Sequence, residues 1–150
     1  MQAIVVIGDI IGSSRIKGRR AFQENFSREI ELLNRGRQFA SPYTVTLGDE
    51  FQAVYRDATT LFNDLFTLIA GLLPQRIRLS IGVGHLTTKF NRHQAIGMDG
   101  PAFHVAREGI DLLRERSDPI CIRAAKGDVT LEDQAARSAL QVVAADHACV

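Results

Sequence analysis

The sequence predicts an α+β domain, an antiparallel sheet with helices packed on it in the split βαβ or ferredoxin-like order. Three observations lead there. A continuous β-branched run, Ala3 to Ile7, opens the chain. Two amphipathic helical stretches flank a pair of short strands joined at Gly48-Asp49. A further strand then precedes a third helix, so the elements run β, α, β-hairpin, α, β, α.

Ala3-Ile4-Val5-Val6-Ile7 is apolar without alternation, which suits a central strand buried on both faces. Gly8 to Ser14 reads as a loop. From about Gly18 to Arg35, Phe22, Phe26, Ile30 and Leu33 recur at helical spacing, and Gly36 follows as a C-terminal stop. Tyr43 to Leu47 is a strand by propensity, and Phe51 to Tyr55 alternates like a half-buried one. Leu61, Leu65, Leu68 and Leu72 form the stripe of a second helix, closed by Pro74. Ile77 to Val83 is another strand, and His85 to Met98 is a polar loop. Pro101 opens a third helix whose apolar face runs through Ala102, Ala106, Gly109 and Leu113. Ile120-Cys121-Ile122 is a short strand. Thr130 and Asp133 then resemble a capping box before a last helix toward Val143.

The 150 residues fit one domain, with an apolar fraction of 45% that supports a full core. A net charge of +1 argues against a nucleic-acid surface. Cys121 and Cys149 form no CxxC pair and suit reduced thiols, so the reading expects a cytoplasmic protein. The opening apolar run ends at Asp9. It is too short for a signal sequence or a membrane span.

In the ferredoxin-like order the first strand lies antiparallel beside the second hairpin strand. That topology brings Asp9 and Asp49 together from distant positions. Two carboxylates on adjoining strand ends suit Mg²⁺ or Mn²⁺ carrying a polyphosphate. Either aspartate alone reads as an ordinary turn residue; the pair favours a metal site, with the Ile10 carbonyl as a further donor. Glu50 is an additional ligand or points away, because successive strand residues face opposite sides. Gly12, Ser13 and Ser14 offer amides and hydroxyls for phosphate, with Arg15, Lys17, Arg19 and Arg20 nearby. A plain helix entry and a solvated basic face are the bland alternatives. Arg107 and His104 share a helix face; Arg107 either grips a phosphate or pairs with Asp111. His85 and His93 carry no metal-ligand spacing and read as surface residues.

Three motifs, Gly8-Asp9-Ile10-Ile11-Gly12-Ser13, Thr46-Leu47-Gly48-Asp49-Glu50-Phe51-Gln52 and Asp99-Gly100-Pro101-Ala102 through Ala106-Arg107-Glu108, resemble the SatD family over nearly the whole chain. Members of that family often continue into a C-terminal helix-turn-helix-like segment, and none is expected within these residues. More distantly the motifs are similar to class III nucleotidyl cyclases and GGDEF palm domains. That resemblance implies two-metal chemistry with Asp9 and Asp49 as ligands. It also implies His104 and Arg107 stabilising developing charge, a nucleoside triphosphate substrate and a homodimer. His104 stands where cyclases carry an asparagine, and Arg107 falls one residue short of the cyclase spacing. Base-selecting positions of adenylyl cyclases fall at Val45 and Pro101, and Leu47 replaces the first glycine of GGDEF. Two readings follow: a metal-dependent nucleotide-binding domain capable of nucleotidyl transfer, or a non-catalytic sensor that keeps the palm fold. A haloacid-dehalogenase-like phosphatase would need a second aspartate where Ile11 stands.

Overall fold

The computed structural model describes residues 1–127. The last helix expected toward Val143, its capping box and Cys149 lie outside the described residues. The elements are β1 (Gln2–Ile10), α1 (Arg19–Asn34), β2 (Ser41–Leu47), β3 (Glu50–Tyr55), α2 (Leu61–Leu72), β4 (Ile77–His85), α3 (Pro101–Glu115) and β5 (Ile120–Ala124). One five-stranded sheet runs in the order β2-β3-β1-β4-β5. β1 is antiparallel to β3 on one side and to β4 on the other, as the ferredoxin-like order predicts. β5 joins the β4 edge in parallel.

Side chains alternate across a strand, and β1 shows what that alternation does. Ile4, Val6 and Ile10 pack into a core with Phe22 and Phe26 of α1 and Leu61, Leu65 and Leu68 of α2. Ala3, Val5 and Ile7 pack on the opposite face with Ala102, Ala106, Ile110 and Leu113 of α3. Both faces are therefore covered, which is why this strand carries no alternating polar residues. Fully burying a side chain such as Phe26 contributes about 1.5–3 kcal/mol.

α3 lies close on β4 because both surfaces are small at the crossing. A Cβ added to Gly82 would stand 2.2 Å from the Ala102 carbonyl oxygen, and one on Gly109 would stand 2.2 Å from Ser80 Oγ. A side chain at Gly82 would press on the α3 backbone and lift the helix, whereas one at Gly109 would first have to turn the Ser80 hydroxyl aside.

The first strand extends beyond the sequence expectation. Gly8, Asp9 and Ile10 belong to β1, because the ladders continue: Gly8 pairs with Phe51, and Asp9 with Arg78. Gly36 has φ +67 just past α1, the left-handed stop expected there. Gly48-Asp49 forms the hairpin turn, with Gly48 at φ +62.

Candidate functional site

Asp9 sits in the last turnless stretch of β1, on the face that α3 covers. Its side chain is only 8% exposed and is held from two directions. Arg78, its partner across the β1–β4 ladder, donates from an Nη to Oδ1 at 3.0 Å. Arg114 of α3 donates from Nε to Oδ2 at 2.9 Å.

The β1–β3 register, continued one step past Gly8 and Phe51, sets Asp9 opposite Glu50. Arg114 spans the two: its second nitrogen reaches Glu50 Oε2 at 3.0 Å. Arg107 adds a bidentate clamp on Glu50, both bonds at 2.8 Å. The hydrogen bonding from Arg107 holds the Glu50 carboxyl below the ordinary glutamate range, outweighing the burial that pushes it up; Arg114 acts in the same direction. Glu50 therefore faces the same side as Asp9. The ion pair weighed for Arg107 with Asp111 forms instead between Arg114 and Asp111, at 3.1 Å. Arg107 goes to Glu50 because the hairpin brings a half-buried carboxylate within reach of α3.

Asp49, in the turn, makes no hydrogen bond or ion pair among the described residues. The 3-10 turn Ser13–Arg15 follows Gly12, which takes φ 67. Ser13 is half-buried and its carbonyl accepts from an Arg19 Nη at 3.1 Å. Gly12 and Ser14 are exposed. His104 is exposed and pairs with Asp99 at 2.9 Å. Of the sequence candidates, Glu50 and Arg107 touch each other, and Arg114 ties both to the Asp9 carboxylate. Arg78 and Arg114 were missed. The one available signal was the heptad spacing of Arg107 and Arg114, which puts both on one helix face.

The donors suit a hard cation in kind, being carboxylate oxygens and a backbone carbonyl. Among the described residues no group of three or more His, Cys, Asp or Glu side chains gathers as a metal cluster. Both Asp9 oxygens are already hydrogen-bonded, so an ion at Asp9 would exchange with an arginine.

The sequence profile of the SatD family matches residues 3–147. The chain belongs to the SatD family. None of the curated proteins matches it. Among solved structures, this SatD family chain is similar to a bacterial light-regulated adenylyl cyclase, at 16% identity and a TM-score of 0.48, over 80% of this chain and 42% of that one. It thus spans less than half the length of that protein. It is also similar to the guanylate cyclase domain of RhGC from Catenaria anguillulae in complex with GTP, at 16% identity and a TM-score of 0.49, over 72% of this chain and 71% of that one. No helix among the described residues of this SatD family protein is long and apolar enough to cross a membrane.

Proposed function

We propose that this SatD family domain binds a nucleoside triphosphate with Mg²⁺ or Mn²⁺ at the Asp9–Asp49 end of the sheet. The observation that carries the reading is an unpaired carboxylate, Asp49, one residue from a carboxylate pair on which arginines converge. Asp9 and Asp49, with the Ile10 carbonyl, would hold the cation. When bound, it would offset phosphate charge and align the reacting oxygens.

The chain's own residues supply the rest. Arg107 and Arg114 present guanidiniums that match phosphate as well as they match carboxylate. A triphosphate would compete with Glu50 for them, so Glu50 keeps the cations in place before the ligand arrives. Gly12, Ser13 and Ser14 would meet the terminal phosphates, and His104 would stand beside Arg107 toward developing charge. By the same reading two copies would assemble as a homodimer.

Thermal-shift titration of a nucleotide panel with and without Mn²⁺, followed by product chromatography, tests this. Metal-dependent binding that Asp49→Asn abolishes is expected. Metal-independent binding, or no change in that variant, overturns it.

A second reading has its own support. Arg107, the charge-stabilising candidate, is fully engaged by Glu50, and Val45 and Pro101 stand at the base-selecting positions. A sensor would bind nucleotide without turning it over. Steady product formation removes that reading, and binding alone favours it.

A further inference from the structure

We propose a second anion site at the opposite end of β3, about 20 Å from Glu50 at the strand rise of 3.3 Å per residue, taking a small phosphate-bearing molecule. It goes beyond the reading of the Asp9–Asp49 end and shares no residue with it.

Three arginines from separate segments meet there. Arg37 lies between α1 and β2, Arg56 follows β3, and Arg92 lies between β4 and α3. All three line one cavity of about 370 Å³. Arg37, Phe39 and Arg56 also line an adjoining cavity of about 540 Å³, walled further by Thr59. Both volumes fall within the range of ligand pockets.

The charges are unbalanced. Neither Arg56 nor Arg92 makes an ion pair among the described residues. Asp57 is the acidic residue on the lining, and it is exposed and tied to the Thr59 backbone N–H at 2.9 Å. Arg37 is taken by the buried Asp64, so the excess positive charge on the lining rests on Arg56 and Arg92, which face only the exposed Asp57.

The cleft is also held rigid. Arg37 pairs with Asp64, a fully buried carboxylate. The Tyr55 and Thr60 hydroxyls both donate to Asp64 Oδ2 at 3.0 Å. Arg56 lies over the Phe90 ring, 4.5 Å from its centroid. Phe39 is wedged edge-on against Tyr43 and Tyr55, at centroid separations of 5.5 and 5.2 Å. Arg37 and Arg56, held by these contacts, with the exposed Arg92 beside them, suit a phosphate group, which guanidiniums grip through paired N–H bonds. The cavity size favours a small molecule over a polymer backbone.

The test is thermal unfolding of the full chain in EDTA, with inorganic pyrophosphate against NaCl at equal ionic strength. A pyrophosphate-specific rise of roughly 3 °C or more is expected at saturation. Arg56→Ser and Arg92→Ser should each remove most of it, and Asp49→Asn should keep it. Arg92 makes no hydrogen bond or ion pair among the described residues, so its variant folds normally and decides the matter if Arg56→Ser does not. A rise matched by NaCl, retained in Arg92→Ser or lost in Asp49→Asn overturns the proposal. So does a duplex DNA affinity that exceeds pyrophosphate and falls steeply with salt, which would make the cleft a nucleic-acid contact.

Discussion

Arg114 binds Asp9 through Nε at 2.9 Å and carries a second hydrogen bond to Glu50 at 3.0 Å. One guanidinium thus joins β1, β3 and α3 at the end of the sheet where the sequence motifs converge. Its partner Asp9 is nearly buried, and a buried carboxylate that loses a cation keeps its desolvation cost.

A double-mutant cycle measures that link. Arg114→Met should destabilise the fold by about 1–3 kcal/mol, and Asp9→Asn by a similar amount. The pair should lose clearly less than the sum, with a coupling of about 1–2 kcal/mol. Urea unfolding of the four proteins reads it out. Strict additivity would mean that the contact contributes nothing.

Glu50 makes the same cluster sensitive to acid. Its folded pKa is depressed, chiefly by hydrogen bonding from Arg107. A depressed carboxylate adds stability above its unfolded pKa of about 4.3, and that stability is lost as pH falls through the lower folded value. The melting temperature should therefore drop below about pH 4.5. In Glu50→Gln the drop should be shallower, because that residue no longer takes up a proton on unfolding. Parallel slopes for the two proteins between pH 3 and 6 would contradict the assignment.

The elements were legible because their signals are local. The stripe of Phe22, Phe26, Ile30 and Leu33 announces α1, and the leucines from Leu61 to Leu72 announce α2. The adjacency of β1 and β3 followed from element order alone, and its register sets Asp9 opposite Glu50, next to Asp49. The arginines were not legible in that way. Arg78 sits in an unremarkable strand, and only the register with Asp9 gives it a partner. Arg114 depends on where α3 docks, which is set by Gly82 and Gly109. The buried Asp64 was hidden for the same reason: its partners Arg37 and Tyr55 come from other elements. Periodicity could place Arg107 and Arg114 on one helix face, but it does not say which residues of other elements they meet.

The docking of α3 can be tested apart from the charges. Gly82→Ala puts a methyl 2.2 Å from a backbone oxygen of α3, which cannot swing away as a side chain does. The helix must shift, at a cost of about 1–3 kcal/mol. Because α3 carries Arg107 and Arg114, the same variant should also weaken triphosphate binding several-fold, although the added methyl meets Ala102 and Ala106 and neither arginine. Unfolding midpoints and nucleotide titrations on one sample check both effects. Unchanged stability would show that the helix has slack at this crossing.

Asp49 separates a ligand role from a structural one. Asp9 performs both in the proposed reading, so Asp9→Asn alters stability and binding together and cannot distinguish them. Asp49 has no hydrogen bond or ion pair among the described residues for a substitution to break. Asp49→Asn should leave the unfolding free energy within about 0.5 kcal/mol of the parent, as for a surface change away from packing. Metal-dependent triphosphate binding should nevertheless fall by at least tenfold, because the uncharged amide is a poorer ligand for a hard cation. Unfolding and Mn²⁺-dependent titration, run side by side, give the answer. Loss of both properties would make Asp49 a turn residue, and loss of neither would move the cation elsewhere.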